Sequence, residues 1–380
     1  MDNILSILSS VSEPRRGNRL TYPLDYLMLI MFSGILSGYL TCEDFELYAQ
    51  LYEGKLKEVY NHYFKRELRR YTPSHDTFCY VLRRLDPDAF KGAFKEWVMN
   101  LFDIKNEHIA IDGKTMRGIK KLDPQAECHA VTAYLPSLRA SIDEVFISKK
   151  SNEINAIKDL LQLIDIKDSV VTIDAIGTQT EIVDMITEKE GDYILNVKSN
   201  QPGTLLEIEE LFVPYYKQEI SKITETDCGH GRIEKRTVES IINPLKLSDK
   251  ECYISLPRWR NLKSVHKVTR ERMEKKDCDK GGSKEVTYYI SSLENQEDVA
   301  TLIRRHWAVE NNLHYVLDVF FGEDKSTIRM DNAAKNVNII YKIALFFLER
   351  LKAKTGKTFN ALKKTISVKG PEFILSSDFF

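Results

Sequence analysis

Two short apolar runs, SVVTID at 169–174 and GDYILNV at 191–197, flank one helical pattern at about 178–190. Strand, helix and strand joined by short links close as a parallel pair, with the helix crossing one face of the sheet. No other feature of the chain restricts its fold as much. Upstream lie EHIAID, ECHAVTAYL and ASIDEVFIS, rich in β-formers and separated by turn residues, which predict three sequential antiparallel strands. A helical pattern at 153–164 joins the two sets. The expectation is an α/β fold on a mixed sheet, with three meander strands first and two crossover strands after.

The flanks have different textures. Apolar residues recur at three- and four-residue spacing through 24–36, 44–60 and 76–101, so 1–100 is expected to be an N-terminal helical domain. Within it, YTPSHDT supplies a proline and a candidate N-cap, Ser74, and the next helix ends on Arg83 and Arg84. That is the shape of a DNA-reading helix, and equally of a bundle helix with a solvated basic end. Residues 101–219 carry the first part of the core. Residues 220–295 alternate in RIEKRTVESII, SVHKVTRER and EVTYYISSL, broken by CGHG, NPLKLSDK and DKGG, and are expected to be a β-rich insertion. Two helical patterns, 296–321 and 332–352, complete the core within 296–355, and 356–380 is a weakly patterned tail.

The longest apolar run, Tyr26 to Leu40, falls short of the ~20 residues that a membrane span needs and contains Ser33, Gly34, Ser37 and Gly38. A buried helix is expected there, and no membrane partner. The start, MDNILSILSS, lacks the basic opening and cleavage pattern of a secretory signal. Six cysteines far apart, with no C-x-x-C, suit free thiols in a reducing cytoplasm.

Three acidic residues stand out by position. Asp112 closes the first strand pattern in IAIDGK, Asp174 closes a later one in VVTIDA, and Glu310 lies mid-helix in RRHWAVENNLHYVLDV. On a helical wheel, His306 and Glu310 share a stripe with Val299, Ile303, Leu313, Leu317 and Phe320. A carboxylate on a buried face is costly unless a cation pairs with it. A divalent ion shared with two strand-end aspartates would do so, and hard cations such as Mg²⁺ favour carboxylate oxygens. Two such ions ~3.5–4 Å apart can clamp the attacking and leaving oxygens of a phosphoryl displacement. Each acid alone has a plainer account: Asp-Gly is a common turn, Asp174 can cap a helix, and Glu310 can pair with His306 or His314. The same H-x-x-x-E-x-x-x-H spacing also admits a zinc site, which would need a further ligand. No P-loop, dinucleotide fingerprint or H-E-x-x-H occurs.

IDGKTMRG, VVTIDAIGTQTEI, GDYILNVKSNQPGTL, GHGRIEKR, YYISSL and HWAVENNLHYVLDVFFGEDKSTIR together resemble the DDE transposases of bacterial insertion sequences, in the ISAs-type or H-repeat-associated branch. YPLDYLMLIMFSGILSGY and PSHDTFCYVLRRLDPDAF resemble the helical region associated with that branch. The resemblance runs over roughly residues 10 to 355. It implies an RNase H-like core whose catalytic and metal-binding triad falls on Asp112, Asp174 and Glu310, with a β-rich insertion before the Glu. The wider group carries a Tyr, an Arg and a Lys at set offsets around that Glu. Here those positions hold Ile303, His306 and Leu317, following the HW-x-x-EN of the branch, so the wider group's DNA-end contacts are not carried over.

Accessory residues follow. Lys114 and Arg117, just after Asp112, are placed to hold a phosphate or to form a solvated turn. Lys198 and Asn200 follow the last core strand, at the edge where Asp174 emerges, and Lys198 is read as a DNA-backbone contact. His306 is one turn before Glu310, placed to orient it, to touch the scissile phosphate, or to sit satisfied in the core. His230 and Arg232 lie in a glycine-flanked loop that reaches DNA or closes a hairpin. Asp318, Glu323 and Asp324 are expected to pair structurally with Arg329.

Net charge is −1, from 55 basic and 56 acidic residues, which excludes a uniformly basic coat but not local patches. Basic residues outnumber acidic ones strongly in 255–276, 55–71 and 350–364, which suits a segmented DNA path. Trp259 lies between Arg258 and Arg260 in the first cluster, positioned to stack on an unpaired base or to anchor a core.

The function expected is DNA transposition. Two Mg²⁺ (or Mn²⁺) ions per site would support hydrolysis at the terminal inverted repeats and attack of the freed 3′-hydroxyl on target DNA, and the resemblance implies a homodimer to bring two ends together. The rivals are a silent DNA-binding copy and an RNase H-like nuclease without strand transfer.

Overall fold

The computed structural model describes residues 9–16, 20–102, 105–121, 127–148, 152–213, 219–229, 231–247, 253–274 and 282–375. Helices α1 (Leu24–Ser37), α2 (Cys42–Leu51), α3 (Glu53–Phe64), α4 (His75–Arg84) and α5 (Pro87–Leu101) come first. Every residue of α1 is buried, including Asp25, which accepts from Tyr60 Oη at 2.9 Å and pairs with Arg66 at 3.1 Å. Gly38, at φ 93°, ends α1 in the left-handed conformation that a side chain would resist. A reciprocal cap between Thr41 and Asp44 starts α2, and Asp86 with Pro87 starts α5.

The sheet begins with β1 (His108–Thr115), β2 (His129–Leu135) and β3 (Ala140–Ile147), then α6 (Glu153–Leu163), β4 (Val170–Ile173), α7 (Thr180–Glu188) and β5 (Asp192–Val197). β1 to β3 pair antiparallel in sequence, while β4 runs parallel to both β1 and β5. This is the meander followed by crossover strands that the patterning predicts.

After α8 (Pro202–Leu211) come β6 (Ser221–Gly229), β7 (Arg232–Ile242), β8 (Ser264–Glu274) and β9 (Ser283–Ser291). β7, β8 and β9 are where the alternation puts them, β6 is a further strand that it does not mark, and all four extend the central sheet. β9 pairs antiparallel with β5, giving one nine-stranded sheet in the order β3-β2-β1-β4-β5-β9-β8-β7-β6. Without β9, β5 would be an edge with unpaired backbone groups.

The last third is helical: α9 (Gln296–His306), a π-helical turn (Val309–His314), α10 (Tyr315–Val319), α11 (Ala333–Thr355) and α12 (Phe359–Lys369). α11 is buried along most of its length. Its Asn336 donates to the carbonyls of Leu82 and Leu85, and its Phe346 meets Phe94, Trp97 and Phe102. The N-terminal helices therefore share one hydrophobic core with α11 and the sheet. The weakly patterned tail is ordered in its described part. Thr358 caps α12, and Leu362 and Ile366 are buried with Ile374 and Leu375 of the final turn, Pro371–Leu375.

Among the described residues no single helix is long and apolar enough to cross a membrane. Cys42, Cys79, Cys128 and Cys228 are free thiols; Cys252 and Cys278 lie outside the described residues.

Candidate active site

Parallel pairing sets Ala110 opposite Thr172 and Ile111 opposite Ile173, at the end of β4. The next residue on each strand is an aspartate. Asp112 lies within β1, which runs on to Thr115 against β2, and Asp174 follows β4 directly. Adjacent strands are ~4.8 Å apart, so in-register side chains leave the same face as neighbours. Open α/β sheets bind ligands beyond the carboxyl ends of their strands, and a cleft opens there. Its lining includes Asp112, Asp174 and Glu310, with Lys198 and Asn196 from the β5 side and His306 and Trp307 from the helix above.

The helix does not hold Glu310 on its buried stripe. Val299, Ile303, Leu313 and Leu317 are buried as the wheel predicts, but Val309 joins them, Phe321 replaces Phe320, and Glu310 is exposed to the cleft. The slip lies where α9 ends at His306 and a π-turn over 309–314 begins: the buried stripe advances six residues there, from Ile303 to Val309, and Glu310 faces outward. π-turns within helices recur at functional sites.

Each carboxylate has a distinct environment. Asp112 accepts from Gly113 N–H at 2.8 Å and stands 3.4 Å from His314 Nδ1. Burial pushes its carboxyl up, but His314, His306 and the Gly113 N–H outweigh this and hold it below the usual carboxylate range. Asp174 accepts from Ala175 N–H and has Lys198 Nζ at 3.9 Å. The Glu310 side chain has no hydrogen bond or ion pair with a described residue. Burial first, then the negative charge of Asp112 and Asp174, raise its carboxyl above the usual range, against the opposing pull of His314 and Lys198. Three carboxylates from separate elements, one of them unpartnered, make a donor set that suits a hard divalent cation. They line the cleft without closing on one point: no group of three or more His, Cys, Asp or Glu among the described residues is gathered tightly enough to hold a metal ion. The zinc alternative meets the same fact, since His306 is bonded to Thr172 and His314 faces Asp112.

Other expected site residues fall into three groups. Lys198 is exposed beside Asp174, and Arg117, Arg232 and Arg258 are exposed. Arg83 pairs with Asp331 at 2.7 Å, Arg84 lies 4.4 Å over the Tyr80 ring, and Arg260 pairs with Glu188 at 3.0 Å. Lys114 and Trp259 point inward, and Asn200 is exposed but hydrogen-bonded. Lys114 is nearly buried between Asp318, at 2.8 Å, and Glu323, so the structure gives it an ion pair in place of a phosphate. Asn200 donates to the Ala175 carbonyl at 2.7 Å and ties the two strand-end loops together. Trp259 is 3% exposed, and its indole N–H donates to Thr204 Oγ1 at 3.1 Å, the placement of a core anchor. His230 lies outside the described residues.

The three acids expected on Arg329 have other partners. Asp318 and Glu323 face Lys114. Asp324 accepts from the Arg117 backbone N–H at 3.0 Å, and its carboxylate lies 3.8 Å from Arg117 Nε. Arg329 instead donates from Nε to the Ser326 carbonyl. Linear spacing put Arg329 within reach of all three acids, but the fold brings β1 and the turn after it closer.

The basic run 255–276 is also less free than a linear count suggests. Cross-strand neighbours pair Arg272 with Glu234, Arg270 with Glu285 and Lys267 with Glu239. Several residues at or beneath the cleft carry no signal in a motif search, above all Thr172 and the buried His108. Strand alternation would have found both: Thr172 is two residues before Asp174 and His108 four before Asp112, on the same faces.

A family model described as the transposase DDE domain matches residues 104–347, and one described as DDE_Tnp_1-associated matches 5–98. YncI of Escherichia coli O157:H7, provisionally named a transposase, is 32% identical over 96% of this chain and 92% of its own length. YhhI of Escherichia coli K12, provisionally named an H repeat-associated transposase, is 30% identical over 92% of this chain and 90% of its own. Among solved structures, the piggyBac transposase synaptic complex with hairpin DNA aligns with 97% of this chain and 78% of its own, at 12% identity and a TM-score of 0.43.

Proposed function

Because the chain belongs to the transposase DDE-domain family, we propose that it is a DNA transposase that cleaves transposon ends and joins them to target DNA. The observation that carries this is the in-register emergence of Asp112 and Asp174 into one cleft with Glu310. The sheet order β3-β2-β1-β4-β5, with only β4 and β5 reached by parallel crossover, supports an RNase H-like core.

In this reading Asp112, Asp174 and Glu310 hold the divalent ions. When bound, two Mg²⁺ or Mn²⁺ ions supply the charge that activates the attacking hydroxyl and stabilises the leaving 3′-oxygen. The protein contributes position. Asp112 lies within β1 and Asp174 directly follows β4, so strand pairing brings the two aspartates to one end of the sheet, and Glu310 faces them from the helix above. Exposed Lys198 flanks the acids and serves the DNA backbone, with Arg117, Arg232 and Arg258 outside the cleft lining. Synapsis of two terminal repeats calls for a second copy of the chain.

The test is cleavage and strand transfer with DNA carrying the ends that flank this gene, in Mg²⁺, with wild type beside Glu310→Gln. Nicking and joining by wild type alone is the expected result. Nicking without joining would leave a nuclease. Binding by both without cleavage by either would leave a silent DNA-binding copy.

A further inference from the structure

His108, Thr172 and His306 form a hydrogen-bonded chain beneath the cleft. His108 Nε2 lies 2.8 Å from Thr172 Oγ1, and Thr172 Oγ1 lies 2.8 Å from His306 Nδ1. His108 is 5% exposed, and its Nδ1 is buried with no partner among the described residues. Burial first, then repulsion from His306 and Arg305, pushes the His108 imidazole down to about 3, so it is neutral near pH 7. Burial also lowers His306, against the pull of Asp112 and Asp174.

Two neutral imidazoles and one hydroxyl share three protons, and the hydroxyl can donate only once. If His306 Nδ1–H donates to Thr172 and Thr172 donates to His108, the remaining proton sits on His108 Nδ1 as a buried N–H with no acceptor. Orphaned buried N–H groups are rare. If the chain runs the other way, His108 Nε2–H donates to Thr172, Thr172 donates to His306 Nδ1, and the last proton sits on His306 Nε2. That nitrogen has no hydrogen bond to a described residue, and His306 lines the cleft beside three carboxylates. An N–H facing negative charge is favoured over a lone pair there.

We propose that His108 and Thr172 are positioning residues that fix His306 in the Nε2–H tautomer, so that His306 presents a hydrogen-bond donor to a non-bridging oxygen of the phosphate undergoing reaction. The proposal rests on the transposase reading for the identity of the acceptor; the tautomer stands apart from it. A neutral donor suits this place, because a full positive charge would compete with a divalent cation for the same carboxylates.

The experiment labels the full chain with ¹⁵N-histidine and reads tautomers from long-range ¹H–¹⁵N correlations, with His306→Gln assigning the signal. Wild type is expected to show protonated Nε2 and bare Nδ1 at His306. Thr172→Val, which keeps the side-chain shape and removes the hydroxyl, should give a mixture of tautomers. It should also slow end cleavage about tenfold at unchanged end affinity, and Thr172→Ser should restore both. If the valine variant fails to fold, Thr172→Ala beside Thr172→Ser makes the same comparison. A wild-type proton on Nδ1 overturns the proposal, as does a valine variant with wild-type tautomer and rate. An Nε2–H tautomer in a protein that cleaves no ends would retain the relay and remove the transposase reading.

Discussion

Asp112 and Asp174 occupy equivalent positions on adjacent parallel strands, each directly following one member of the paired Ile111 and Ile173. Backbone pairing of the sheet thus sets the two strand ends from which they emerge, Asp112 from within β1 and Asp174 from the residue after β4. Glu310 lacks that support and comes from a π-turn in the helix above.

Replacing Asp112 or Asp174 by Asn, or Glu310 by Gln, should lower cleavage of transposon ends by roughly 10³-fold or more, since each removes charge from the proposed metal centre. End binding should survive in all three. A gel-shift beside a cleavage assay separates the two effects, and EDTA should reproduce the loss in wild type.

Glu310 should also report the metal through stability. Its carboxyl is raised in the folded state, so the ionised form is disfavoured by folding. A raised pKa means that its contribution is most favourable below about pH 4.5 and is lost as pH rises through the folded value. At pH 7 without metal, Glu310→Gln should therefore melt at or slightly above wild type. Added Mn²⁺ should raise the wild-type melting temperature and move the variant less, as binding linkage requires. A wild-type protein indifferent to Mn²⁺ would contradict the proposed ligand set.

Much of the site is legible in the sequence because strands advertise themselves locally. The runs ending at Asp112 and Asp174 alternate or are continuously apolar, and the short links between them allow one arrangement. The outward turn of Glu310 is not legible, because the slip in helical register between Ile303 and Val309 leaves no mark in composition: a wheel drawn at 3.6 residues buries Glu310 beside Ile303. Lys114 misleads for a related reason. Its partners, Asp318 and Glu323, lie some two hundred positions away, and only folding reveals that its charge is spoken for. Trp259 lies between two arginines in sequence, yet the fold turns it inward while leaving Arg258 outside.

Lys114→Met should destabilise the protein by about 3 kcal/mol, because it leaves the buried Glu323 without its cation. Asn338, which also bonds Glu323, cannot neutralise it. The salt dependence of DNA binding should be unchanged by the substitution. A smaller slope of log affinity against log salt, with stability intact, would return Lys114 to a phosphate.

His266 offers a pH test far from the cleft. It is fully buried between Ser240 Oγ, at 2.6 Å, and Ser264 Oγ, at 2.7 Å, and burial pushes its imidazole down to about 3 from 6.5. Below pH 6.5 the unfolded chain takes up a proton at this site that the folded chain refuses. Stability should therefore fall with acidification between about 6.5 and 3, by roughly 1.4 kcal/mol per pH unit for this one group. His266→Gln should flatten the slope of urea-unfolding free energy against pH in that window, and an unchanged slope would refute the assignment.

Gly113 is the sharpest steric test, because on β1 it faces the buried pair of Glu153 and His129 directly. A Cβ there would overlap Glu153 Oε1 and lie 2.6 Å from His129 Nε2. Both side chains are almost fully buried, with Nε2 and Oε2 3.3 Å apart and His129 Nδ1 held 2.8 Å from Thr115 Oγ1, so neither can swing away. The clash must be absorbed by β1 itself, next to Asp112. Gly113→Ala should therefore cost about 1–3 kcal/mol in unfolding free energy, as overpacking does. It should also slow cleavage by roughly tenfold or more at temperatures where the variant remains folded, because a small displacement of Asp112 is enough to spoil positioning. Loss of stability with a wild-type cleavage rate would mean that the strain relaxes toward α6 and leaves Asp112 in place.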